Sequence, residues 1–479
     1  MAAIEIANTR RSSSHEEKAE GGRIGEAWEK MKSMPKAIVE KLMNICVMTK
    51  EIAKDDPRKV IHSLKVGLSI SLVSLFYFYQ PLYENFGLSA MWAVMTVVVV
   101  FEFTVGATLG KGMNRTLATL TAGALGVGAH YLASLAGETA EPILIGFFVF
   151  LQAAIVSFIR FFPKMKARYD YGLLIFILTF SLISVSGFRD DEVLEMAHKR
   201  LSTIVIGGTA CVMISIFVCP VWAGEELHYS IALNLEHLSN SLQEFVNKHF
   251  MASEEGDSNK DDNKSFLEGY KKVLNSKSSE DSLANFARWE PGHGKFKFRH
   301  PWDQYLKIGA LTRQCAYRIE ALINGHVNNN TPHIQGSSTT SSSEILGRIQ
   351  EACIEMSMEC SKALKELGSS IKKMTIPSSS SSQSKSASKK LKALLQSSLR
   401  EQNTDLLSLI PAGTVASLLI DIVDCIEDLA DSVNDLAALA DFEDSRVVDD
   451  DGGGDKSQLQ SQGLHCECAE PVPKIDSIV

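Results

Sequence analysis

Six apolar runs lie between Val60 and Cys219, and they decide the class of fold: Val60–Tyr79, Leu88–Val105, Met113–Ala136, Pro142–Phe162, Tyr171–Phe188 and Leu201–Cys219. A bilayer core takes ~20 mostly apolar residues in helix, and the two shorter runs still fall in the spanning range. Helices buried in a soluble core rarely stay apolar on every face. The runs therefore predict membrane spans. The segment ahead of them, Met1–Asp56, is charged and has neither an apolar core nor a cleavage pattern, so no signal peptide is expected.

Loop charge sets the orientation. Lys54, Arg58 and Lys59, then Lys111 and Arg115, then Arg160, Lys164, Lys166 and Arg168 fall on one side. The opposite loops carry Glu84, two glutamates in Gly137–Glu141, and Asp190, Asp191, Glu192 and Glu195. The positive-inside rule puts both termini in the cytosol. Tyr77, Tyr79, Tyr169, Tyr171 and Trp222 fall at the expected headgroup level. On this topology Cys46, Cys315, Cys353, Cys360, Cys425, Cys466 and Cys468 are cytosolic and expected to stay reduced. The Cys466–Cys468 pair reads as incidental rather than as a metal or lipid site.

After Cys219 the chain changes character. Leu227, Ile231, Leu235, Leu238, Leu242 and Phe245 recur at steps of three and four. So do Tyr305, Ile308, Leu311, Cys315, Ile319 and Leu322, and then Leu346, Ile349, Cys353, Met356, Cys360, Leu364 and Leu367. The cleanest stripe is Val415, Leu419, Ile422, Ile426, Leu429, Val433 and Leu436. Such faces need one another, and a helical bundle is the natural result. Ser253–Lys264, Asn328–Ser343 and the serine tract Ser378–Ser382 read as linkers, and the acidic tail from Asp441 as disordered.

Several motifs fail on inspection. GATLGKG (Gly106–Gly112) has three residues between its first two glycines and a glycine after Lys111, so it is no phosphate loop. WEPGHGKFKFRHPW (Trp289–Trp302) offers two histidines but reads as a packed connector between helices. Nothing matches a Ser–His–Asp set or a dinucleotide fingerprint, and a net charge of −9 argues against nucleic acid. What remains is charge at membrane depth: Lys65, Glu102, Lys111 and Arg115, with Arg200 opening the last run. Such charges face a water-filled path or a partner, and the basic excess favours anions. Gly106 and Gly110 are spaced for close backbone approach.

The stretches AMWAVMTVVVVFEFTVGATLGKGMNRTLATL, IRFFPKMKARYDYGLLIFILTFSLISVSGFRDDE and KRLSTIVIGGTACVMISIFVCPVWAGEELH resemble the plant aluminium-activated malate transporter family, as does the Trp289–Trp302 connector. The resemblance is close from about Asp56 to Gly325 and fades in the tails. It implies a dimer that conducts malate and other anions passively. It implies that Arg115 and Arg200 are the pore arginines, with Lys111 as a basic neighbour, and that the glycines pack the pore helices. It also implies that Glu84, Asp191 and Glu195 are the external acidic residues of an aluminium site; an ordinary solvated loop is the other reading.

The reading is an all-α membrane protein: six transmembrane helices followed by a cytosolic helical bundle domain. The expected divisions are residues 1–56, 57–222, 223–440 and 441–479. The candidate anion-binding set is Arg115, Arg200, Lys111 and Lys65. No cofactor, enzyme activity or nucleic-acid partner is expected, and the plasma membrane is favoured over the vacuolar membrane. Two other functions fit these features: a proton-coupled organic-acid or toxic-compound exporter, and a membrane-anchored scaffold.

Overall fold

A computed structural model describes residues 36–78, 90–137, 139–186, 193–248, 269–329, 340–377, 381–400 and 406–443. Among them the protein is helical, with two isolated β-bridges and no strand. Contacts divide the chain at Lys65. Before it lie α1 (Lys36–Asp55) and the opening turns of α2 (Pro57–Phe78). Helix α1 exposes Met43, Ile45, Val47 and Met48.

From Val66 onward the remaining helices form one unit. The apolar half holds the end of α2, α3 (Ala90–Val100), α4 (Val105–Ser134), α5 (Glu141–Ile159), α6 (Pro163–Ser186) and α7 (Val193–Phe217). Val73, Ala93, Val97, Val100, Cys211 and Ile214 make one core, where α3 meets α7. Ala122, Ala129 and Phe180 make another, where α4 meets α6. Outward, α5 exposes Ile143, Phe147, Phe150 and Phe158. A helix apolar all round with its aromatic face uncovered is solvated by lipid. Among the described residues, three helices are long and apolar enough to cross a bilayer, over Glu141–Ile159, Pro163–Val185 and His198–Phe217.

One expected span departs from its predicted form. Within Leu88–Val105 the helix α3 stops at Val100, and the chain turns through Phe101–Thr104 before α4 begins. The break has a local cause. Thr104 caps α4, its Oγ1 accepting from the Ala107 amide at 3.3 Å. Thr108 Oγ1 accepts from the Glu102 amide at 3.0 Å, so hydroxyls take over backbone groups that a continuous helix would pair.

The C-terminal bundle holds α8 (Ala223–Val246), α9 (Lys277–Ala287), α10 (Trp302–Asn329), α11 (Thr340–Lys373), α12 (Ser381–Arg400) and α13 (Leu406–Ala440). Its apolar faces are the predicted ones. Leu227, Ile231, Leu235, Leu238, Leu242 and Phe245 are all fully buried, and so are Leu419, Ile422, Ile426, Leu429, Val433 and Leu436. Helix α8 packs on α11 and α10 on α13, closing one continuous core. Each such leucine or isoleucine contributes about 1.5–3 kcal/mol by leaving water.

Candidate functional site

Arg115 and Arg200 meet where α4 packs against α7. Arg115 is 5% exposed and donates from Nη1 to the Tyr171 hydroxyl of α6 at 3.0 Å. Arg200 is 4% exposed and stacks over Trp92 of α3, 4.1 Å from the ring centroid. The two guanidiniums feel one another's charge. Among the described residues, Arg115 Nε and Arg200 Nε and Nη1 are buried without a hydrogen-bond partner. Nearby acids are engaged elsewhere: Glu102 holds Lys111, and Asp170 accepts from Arg160 at 2.7 Å. A buried guanidinium with spare donors is costly alone and well matched to a carboxylate, which takes paired N–H bonds.

The other sequence candidates fall in different places. Lys111 is the partner of Glu102 and lies 5.7 Å from the Tyr171 ring centroid. This identifies the partner of the intramembrane glutamate, which spacing alone left open. Lys65 is buried on α2. Glu84 and Asp191 lie outside the described residues, and Glu195 falls in α7 with its side chain outside them as well. The serine tract and Cys466–Cys468 are likewise outside, apart from the backbone of Ser381 and Ser382 at the start of α12. Tyr171 and Trp92 were missed as site residues. Tyr171 read as a headgroup anchor, yet its hydroxyl receives Arg115. The available signal was an aromatic at the depth of a charge.

The joint between the two halves is a carboxylate. Glu290, 5% exposed, accepts from the Gly106 amide at 3.1 Å, the Ala223 amide at 2.6 Å and the Gly224 amide at 3.0 Å. One side chain thereby satisfies orphan donors at the N-termini of α4 and α8, where the helix dipoles favour negative charge. Burial pushes its carboxyl above the usual range, and the three amides oppose that shift. A Cβ on Gly106 would strike the Phe286 carbonyl, and one on Gly110 would lie 2.9 Å from the Trp289 ring. These two glycines therefore admit the connector of the bundle rather than a neighbouring span. The connector is packed as expected, with Phe296, His300 and Trp302 buried.

Behind it, His228 and His300 share the Tyr305 hydroxyl at 2.9 and 3.3 Å, and His228 Nε2 faces the Lys372 carbonyl at 3.5 Å. That carbonyl can only accept, so His228 Nε2 carries the proton. Tyr305 then donates to His228 Nδ1 and accepts from His300. Burial depresses both imidazoles to about 4.

Fold and site together define an all-α membrane transport protein. A family model described as "Aluminium activated malate transporter" matches residues 50–403, and the chain belongs to that family. It is 53% identical over 431 residues to the Arabidopsis thaliana protein named aluminum-activated malate transporter 2, covering 89% of this chain and 84% of that one. It is 45% identical over 402 residues to the Triticum aestivum protein named aluminum-activated malate transporter 1, covering 83% and 86%.

Proposed function

We propose that this chain is a passive channel for malate and other anions, acting as a homodimer in the plasma membrane with both termini in the cytosol. The observation that carries the reading is the pair Arg115 and Arg200, buried at membrane depth with N–H donors unspent. Family membership and the names of its relatives support malate as cargo. Residues 57–222 form the six-span conducting part, 223–440 a cytosolic bundle, and 1–56 and 441–479 flank them. A potential of 100 mV acts on each charge with about 2.3 kcal/mol, so a negative-inside membrane drives the malate dianion outward without a pump. The guanidiniums replace part of its hydration through charge-assisted bonds, and conduction needs that binding to stay weak enough for release. Lys111 stands beside this pair with its charge shared with Glu102.

Glu84, Asp191 and Glu195 form the external trigger. A hard trivalent cation prefers carboxylate oxygen, and its arrival removes negative charge from a mouth that anions cross.

The deciding experiment is malate current from the purified protein in liposomes. Currents that reverse at the anion equilibrium potential identify a channel; strict proton stoichiometry overturns it in favour of an exporter. Malate current in oocytes with and without external aluminium, repeated for Glu84→Gln, Asp191→Asn and Glu195→Gln, tests the trigger. No aluminium response in the parent removes it.

A further inference from the structure

Against the first turns of α6 lies a cavity of about 320 Å³ that the anion path does not use. Its lining brings Arg168 of α6 together with Arg288 at the end of α9 and Lys297 and Arg299 of the connector, four cations against the carboxylates of Glu290 and Asp303. Glu290 is held by its three amides, while Asp303, whose side chain is 87% exposed, accepts from Arg288 at 2.5 Å; Arg168, Lys297 and Arg299 are the cations left facing the cavity. Lys297 reaches out to Asp441 at 2.6 Å, but both side chains are about 70% exposed, at 70% and 72%, so the pair is screened and exchangeable. Arg168 and Arg299 rest on aromatic faces, Arg168 at 5.3 Å from the Trp289 centroid and Arg299 at 5.6 Å from that of Phe298. Arg299 is held at φ 62°, a left-handed conformation that a long side chain rarely adopts. His293 also lines the cavity. It stacks on Trp222 at 3.9 Å, and its Nδ1–H donates to the Pro291 carbonyl at 3.0 Å. Its Nε2 is a buried atom without a hydrogen-bond partner among the described residues.

The surroundings say what kind of anion fits. The cavity opens beside the end of a membrane helix whose first turns carry Lys164, Lys166 and Arg168. The connector reads Lys295-Phe296-Lys297-Phe298-Arg299; Phe296 is buried in the core, while Phe298 is 69% exposed between two cations. An exposed aromatic flanked by basic residues suits a bilayer interface, where the ring enters the acyl boundary and the cations meet headgroups.

We propose that this cavity binds the phosphate-bearing headgroup of an anionic lipid in the leaflet next to the bundle, with Phe298 seated among the acyl chains. The leaflet is cytosolic on the orientation given above. Arg168 and Arg299 supply planar forks for phosphate oxygens and Lys297 a point charge. Because Trp289 and Glu290 of the same connector contact α4, an occupied site ties that joint to the membrane surface.

The test reads binding directly on full-length protein in phosphatidylcholine nanodiscs, titrated separately with short-chain phosphatidylinositol phosphate, soluble inositol phosphate and inorganic phosphate. The lipid is expected to bind tightest. Arg168→Gln, Lys297→Gln and Arg299→Gln should each weaken it about fivefold. Phe298→Ser should weaken the lipid while leaving soluble inositol phosphate unchanged. Arg168→Lys keeps the charge but loses the planar fork, so it should weaken the lipid less than Arg168→Gln does, separating charge from folding. Wild-type affinity in the triple glutamine variant overturns the site. Equal affinity for the lipid and for soluble inositol phosphate overturns the lipid assignment in favour of a free phosphate ligand. Lipid binding in a protein that passes no malate would sink the channel reading and leave this one standing.

Discussion

In α8–α13 a buried polar side chain has company. Glu280 accepts from Asn234 at 2.9 Å and pairs with Arg313, Ser239 donates to the Ser361 carbonyl at 2.8 Å, and Gln304 donates to the Ser432 carbonyl at 2.8 Å. In α2–α7 some are paired, as Asn114 Nδ2 is with the Arg168 carbonyl at 3.1 Å, but others are not. Ser69, Thr119, Thr179 and Ser184 hydroxyls, the Gln152 amide and the two arginines all hold buried atoms without partners among the described residues. Ser357 Oγ and His293 Nε2 are exceptions on the bundle side. Unmet hydrogen bonds in a protein interior cost about 1–3 kcal/mol each. The two halves thus differ in how fully their buried polar groups are met.

Charge reversal sharpens that contrast most. Arg115→Glu or Arg200→Glu should cut anion current by about a hundredfold or more, the range expected when a close charge contact is lost, while surface labelling and bundle stability hold. Wild-type conductance in both would erase the distinction. In the bundle the same kind of insult should act on folding. Leu429→Asp buries an unpaired charge in a fully apolar position and should cost about 3–5 kcal/mol, read as a fall in melting temperature.

Glu290 belongs to both halves, so its loss should register in both. Glu290→Gln places an amide donor against one of the helix amides and removes the charge. About 1.5–3 kcal/mol of stability should go, together with current. A loss of one without the other would show that the halves are energetically separate. The smallest effect is pH-dependent. His228 and His300 are depressed to about 4 from 6.5, so the unfolded chain takes up protons before the native one does. Stability is full above about pH 6.5 and drains as pH falls toward 4. One histidine accounts for about 2 kcal/mol by about pH 5. Thermal scans at about pH 7 and 5 check the direction; His228→Asn should flatten the difference.

What the sequence made legible follows from periodicity. The α8 and α13 stripes are local patterns that name their own buried face, so Leu227 through Phe245 and Leu419 through Leu436 could be read directly. The basic residues at membrane depth stood out because charge there is rare. Contacts made across the fold left no such trace. Glu102 and Lys111 stand nine positions apart across a helix break, a spacing no helix rule connects. Glu290 lies 184 residues from Gly106, and its capping role exists only once two helix ends converge. The break at Phe101–Thr104 was hidden because it falls in an apolar run, where a threonine hydroxyl can also bond back to its own helix.

The clamp of the connector on the start of α4 makes that helix a lever. Its fulcrum is Gly106, where the Phe286 carbonyl leaves no room for even a methyl group. Thirty residues of helix extend about 45 Å. A tilt of about 5° about the fulcrum swings the far end by about 4 Å, while Arg115, about 15 Å along, travels little more than 1 Å. Small rotations would thus displace the far end of the helix while leaving the guanidinium nearly stationary.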